Sequence, residues 1–178
     1  MYKKEKKKKT KKKMTSNAQL SNYDLLDAAR RFNILLNGVY SKNELPRIPP
    51  MGGYIINMEN THDSAGNPLG GSHWVAVWIE RKGFCAYFDP FGFPPPIEIE
   101  NWLGRKTLYI NNIMIQSIAS EICGYYCIYF IYYMNRYKNV FPNLKNRLKE
   151  FIYQFDTNNH KKNRQILQEE FQKHFPKK

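Results

Sequence analysis

Gln116-Ser-Ile-Ala-Ser-Glu-Ile-Cys123-Gly124-Tyr-Tyr-Cys127 leads straight into the apolar run 128–134. The run predicts a buried helix over about 121–137, with a thiol at its start. There, backbone N–H groups and the positive end of the helix dipole favour a thiolate. Gln116, seven residues upstream, carries an amide that can donate a hydrogen bond. Cys123 is therefore a candidate nucleophile, with its own N–H and Gln116 as candidate oxyanion donors, provided the chain also supplies a histidine.

The histidine lies upstream, in Gly70-Gly71-Ser72-His73-Trp74. Val75-Ala-Val-Trp-Ile-Glu80 reads as a strand, Arg81-Lys82-Gly83 as a tight turn, and Phe84-Cys-Ala-Tyr-Phe-Asp89 as the returning strand. A turn centred near Arg81 pairs residues whose numbers sum to about 162, which makes His73 and Asp89 direct cross-strand neighbours. His73 then serves as base, Asp89 orients it, Cys123 attacks a carbonyl, and Gln116 with the Cys123 N–H holds the oxyanion. Gly70, Gly71 and Trp74 are placed beside the substrate cleft, where bare backbone lets an extended peptide approach. Taken singly, His73 reads equally as a surface residue, Asp89 as the cap of the Pro90 turn, and Gln116 as a loop amide; the joint arrangement carries the catalytic reading. Cys127, one helical turn after Cys123, reads as a small buried hydrophobe, and Cys85 as a core residue of its strand. No matching Cys or His pair stands at zinc-ligand spacing, so no metal site is expected.

The remaining chain reads as scaffold and tail. Residues 1–13 hold nine lysines against one glutamate, which is +8 of the chain's +13. Residues 1–20 are read as a disordered lysine-rich tail, in which Lys3, Lys4, Lys6, Lys7, Lys8, Lys9, Lys11, Lys12 and Lys13 bind nucleic acid, and 21–178 as the folded domain. Ser21, with Asp24 three residues on, opens a helix whose apolar residues Leu25, Ala29, Phe32 and Leu36 keep helical spacing, and Gly38 ends it. Strands follow over 54–58 and 107–111, with a short helix or turn over 97–103 between them. Two amphipathic helices close the chain, one around 144–155 and one around 166–175. Three cysteines, with no framework spacing, point to free thiols in a reducing compartment, and the apolar run is too short to cross a bilayer.

In chain order, Gly70-Gly71-Ser72-His73-Trp74, Phe88-Asp89-Pro90-Phe91-Gly92-Phe93, and Gln116 seven residues before Cys123-Gly124 resemble the His, acid and Gln/Cys motifs of the adenovirus-type cysteine endopeptidases. SUMO-specific proteases, which usually have a Gln-to-Cys spacing one residue shorter and lack the Pro-Phe-Gly-Phe turn, are the second resemblance. The likeness covers roughly residues 22–175. It implies an α+β, permuted papain-like fold with a mixed central sheet flanked by helices. It also implies a monomeric protease that cleaves viral capsid precursors during particle maturation, in the virion and in the host cell's virus factory or nucleus. Relatives occur in adenoviruses, virophages and virus-like transposons. Adenoviral members are stimulated by DNA and by a disulfide-linked peptide. Here Arg105 stands near the anchoring position and no cysteine does, so the tethered peptide is not expected, whereas the basic tail keeps DNA as an activator. The acid is aspartate where human adenoviral enzymes have glutamate. Two alternatives stand beside this reading: a protease of host ubiquitin- or SUMO-like conjugates, and a non-catalytic DNA-binding virion protein.

Overall fold

Successive side chains of a strand point to opposite faces of the sheet, and here that alternation divides the interior in two. Ile55, Trp74, Ala76, Trp78, Ala86 and Phe88 face one apolar cluster, whereas Tyr54, Ile56, Val75, Val77, Cys85 and Tyr87 face the other. The structure, a computed structural model, describes residues 19–175. The strands are β1 (Leu36–Ser41), β2 (Gly52–Asn57), β3 (Trp74–Ile79), β4 (Phe84–Phe88) and β5 (Thr107–Ile110), side by side in that order in one sheet. The pairs β1–β2 and β4–β5 are parallel, and the two pairs between them antiparallel. The helices are α1 (Asn22–Arg31), α2 (Ile97–Leu103), α3 (Cys123–Arg136), α4 (Leu144–Tyr153) and α5 (His160–His174). Helices α1, α3, α4 and α5 contribute to the first cluster and α2 to the second, through Ile99 and Leu103. The architecture is α+β with a mixed sheet.

Helix α3 is apolar on nearly every side because it is enclosed by the sheet, α1, α4 and α5. Phe130 stacks on Phe88 at 4.9 Å between ring centroids, and Phe151 of α4 meets both edge-on at 5.3 and 5.2 Å. Phe151 is fully buried, so its truncation to alanine costs about 3–5 kcal/mol. This packing fixes the start of α3, and Cys123 with it.

Two expectations are corrected. The first helix stops at Arg31, because Asn33 adopts φ 51°, a left-handed conformation that asparagine tolerates and a helix does not. Leu36 and Gly38 belong instead to β1. The hairpin register sums to 164, as in Ala76 opposite Phe88, because the connection is a 3₁₀ turn over Arg81–Gly83 closed by the Glu80 N–H donating to the Phe84 carbonyl. The residue before the Ser21 cap is packed as well. Leu20, 8% exposed, precedes the Ser21 cap in the position of a hydrophobic staple, and Leu20 and Leu25 both close on Gly124. The tail lysines lie outside the described residues.

Candidate active site

His73 immediately precedes β3, Asp89 immediately follows β4, and Cys123 opens α3, which packs across β3. His73 Nε2 lies 2.9 Å from Asp89 Oδ1. Extending the observed register places His73 across from Phe91, with Asp89 on the diagonal. Both contacts form: the Phe91 ring stacks on the imidazole at 4.2 Å and 11°. The pairing anticipated from sequence is thus made one diagonal over. Phe91 covers the imidazole from the turn after β4, and the residue pattern alone did not assign it.

Asp89, 1% exposed, sits in a dense set of hydrogen bonds. Its Oδ1 also accepts the Phe91 N–H at 2.7 Å, so one carboxylate both caps the turn and orients the imidazole. The Gly92 N–H closes that turn onto the Asp89 carbonyl at 2.8 Å. Gly92 has φ 74°, and a Cβ there would stand 2.8 Å from the Ile113 backbone, so both the turn and its packing require glycine.

Since Asp89 holds Nε2, the other ring nitrogen, Nδ1, is the one available to Cys123. Nδ1 is buried and has no partner of good hydrogen-bond geometry. Burial alone would lower the affinity of His73 for its proton. The hydrogen bond to Asp89 and that carboxylate's charge, with the Cys123 thiol beside the ring, outweigh burial and raise its pKa to about 9. The imidazolium form is therefore favoured at neutral pH, as a thiolate–imidazolium pair requires.

The candidate oxyanion donors, Gln116 and the first turn of α3, lie seven residues apart in the chain. No side chain caps the α3 N-terminus, which leaves amide N–H groups of its first turn for an anion. Gln116, 1% exposed, donates one Nε2 hydrogen to the Ser120 carbonyl at 2.7 Å, which leaves the second. Its Oε1 is buried without a partner. The backbone N–H groups of Ile115 and Gln116 both donate to the Pro90 carbonyl, at 3.0 and 3.1 Å, which ties the glutamine loop to the residue after Asp89.

The remaining cleft positions divide. Gly70 is exposed, with open space where a Cβ would stand. Gly71 and Trp74 border a depression of about 430 Å³ also lined by Gln19, Ser41 and Asn57. The Asn57 side chain fills the space a Cβ on Gly71 would need, and Gln19 donates to the Gly71 carbonyl. Trp74 is buried, with its indole N–H on the Leu20 carbonyl at 2.9 Å, so it forms the floor of that depression and no exposed wall. Cys127 is buried and donates to the Trp74 carbonyl at 3.2 Å; burial pushes its thiol well above the usual range. Burial likewise pushes Cys85 up to about 11. Neither is thereby suited to act as a nucleophile at neutral pH.

Among the described residues no group of three or more His, Cys, Asp or Glu side chains is placed to hold a metal ion. Nor is any described helix long and apolar enough to cross a membrane. Neither the family models nor the curated proteins gave a match to the chain.

Proposed function

We propose that the chain is a cysteine endopeptidase of the adenovirus type, with a permuted papain-like fold, that cleaves viral capsid precursors during particle maturation. The observation that carries the reading is His73 held by buried Asp89 on one ring nitrogen and offered to Cys123 on the other. Cys123 Sγ attacks the scissile carbonyl carbon, forming a C–S bond as the carbonyl electrons move to oxygen. The first-turn amides of α3 and the free Gln116 N–H stabilise that oxyanion. The imidazolium of His73 then protonates the leaving amine as the C–N bond breaks. Neutral His73 takes a proton from water, which attacks the thioester and releases the acid and Cys123.

The test is labelling of the purified chain with a peptide vinyl sulfone, alongside cleavage of capsid precursors. The expected outcome is labelling and cleavage that both vanish in Cys123→Ala. Cleavage confined to a fluorogenic ubiquitin or SUMO tail would move the substrate to host conjugates. Absent labelling, with DNA binding that weakens steeply with salt, would replace the enzyme by a nucleic-acid-binding virion protein. Deletion of residues 3–13 is expected to flatten that salt dependence.

A further inference from the structure

Asn111 is buried one residue beyond β5, and its side chain is spent on residues 22 and 2 positions away in the chain. Its Oδ1 accepts the Asp89 N–H at 2.8 Å, and its Nδ2 donates to the Asp89 carbonyl at 2.8 Å and to the Ile113 carbonyl at 3.1 Å. The carboxamide thus copies a peptide unit and continues the parallel β4–β5 ladder with a side chain, after the Asn111 N–H has closed on Tyr87. Both backbone polar groups of Asp89 are fixed by one residue. The next carbonyl, that of Pro90, accepts the N–H groups of Ile115 and Gln116.

We propose that Asn111 is the positioning residue of the site: it sets the Asp89 backbone so that the carboxylate meets His73, and it does so without touching a reacting atom. This rests on the peptidase reading for its catalytic consequence, but the geometry it predicts does not. Asparagine suits the task because it offers an acceptor and two donors on one rigid plane, at the reach of a peptide group. Losing Asn111 would leave the buried Asp89 N–H unpaired and its carbonyl held by the Gly92 N–H alone, which would let the turn shift, and a shift of about 1 Å in such a support is enough to uncouple a dyad.

A second buried asparagine supplies the control. Asn163 of α5 donates to the Ile115 and Asp156 carbonyls at 2.9 and 2.6 Å and accepts the Asp156 N–H at 2.7 Å. It is as buried and as fully bonded as Asn111, yet two of its bonds go to Asp156 and one to the glutamine loop, and none to Asp89.

The groups facing His73 are Asp89 and Cys123, with the Phe91 ring over its face; Tyr87 and Cys127 lie near enough to Asp89 to sense its charge. The experiment is NMR titration of the four histidines in the full chain, with His73 assigned by its loss in His73→Gln. In wild type the His73 midpoint is expected at about 9. In Asn111→Ala it is expected to fall by about one unit or more, toward the ordinary range. Asn111→Ser, whose hydroxyl can replace only part of the set, is expected to fall between. Asn163→Ala is expected to leave the midpoint in place while lowering thermal stability. An unmoved midpoint in whichever Asn111 variant folds, or failure of both to fold, overturns the proposal in favour of a purely structural residue. A midpoint that moves in a chain without peptidase activity would sink the peptidase reading and leave the positioning role standing.

Discussion

Two buried polar clusters stand at opposite ends of β3, and they handle their valences differently. After its C-terminal end, Glu80 meets Arg147 of α4 at 2.6 Å. Arg147 is 1% exposed, and its other nitrogens donate to the Phe141 carbonyl at 3.0 Å and the Met134 carbonyl at 2.6 Å. Glu80 also accepts the Trp78 indole N–H at 3.2 Å. Each nitrogen of that guanidinium makes a hydrogen bond. At the N-terminal end, His73 Nδ1 and Gln116 Oε1 are buried without strict partners, and no side chain caps α3. The closed cluster joins α3, α4 and the sheet, whereas the open one leaves two buried polar atoms unpaired. Buried charge alone does not distinguish a site from a brace; unspent hydrogen-bonding capacity beside a candidate nucleophile does.

The sharpest way to break this contrast is Cys123→Ala. At the open cluster it is expected to remove peptidase activity by about 10⁴-fold or more while leaving the urea midpoint nearly unchanged, since a small buried side chain replaces another. Residual cleavage above about a tenth of wild type in a purified preparation would show that the thiol is not the nucleophile.

Arg147→Met tests the other end. It strands a partly exposed carboxylate, one buried carbonyl and one half-buried carbonyl, so a stability loss of about 3 kcal/mol is expected by urea unfolding. Activity per folded molecule is expected to stay within about twofold, because no bond of Arg147 reaches the His73 end of β3. A large fall in kcat at full folding would couple the two clusters and dissolve the distinction.

How far these clusters were legible in the sequence follows from the range of the interactions that build them. The hairpin brought His73 to Asp89 by local strand pairing, and the error of two in register came from a connection that curls into a 3₁₀ turn with Gly83 left-handed. Cys123 at a helix start was readable because the apolar run behind it is long. Leu36 misled because its spacing from Leu25, Ala29 and Phe32 fits a helix, while β1 is an edge strand with only partial burial and no alternation to betray it. Leu20 did carry a signal, the apolar residue before a capping serine, that the charge of the preceding tail obscured. Asn111, Asn163 and Arg147 have no periodic signature at all. Each bonds backbone or carboxylate far along the chain, so only the folded arrangement discloses its role.

Gln116→Ala gives a smaller and more selective effect. If the second Nε2 hydrogen meets the oxyanion, kcat is expected to fall about 100-fold with KM little changed. The stability cost should be about 1 kcal/mol, since the Ser120 carbonyl loses one donor. A change confined to KM would return Gln116 to the role of a loop amide.

Phe91→Leu carries the smallest expected effect and bears on why the open cluster can keep a charge. The ring lies flat on the imidazole, so it screens one face from water and offers its negative π-face to the imidazolium. Leucine preserves the apolar cover and removes the quadrupole, a loss of about 0.5–1 kcal/mol for the charged form and less for the neutral one. The sign then follows from linkage. The folded-state pKa of His73 is raised, so its share of stability is fully present below the ordinary value of 6.5 and is lost as pH rises through about 9. Peptidase activity should fall over the same rise, because the leaving amine needs the imidazolium proton. In Phe91→Leu the alkaline limb is expected to move down by less than about one pH unit, and the stability difference from wild type should be largest below pH 6.5 and shrink above 9. A stability difference that is constant with pH would assign the ring to packing alone, leaving Asp89 and Cys123 as the groups that hold the charge.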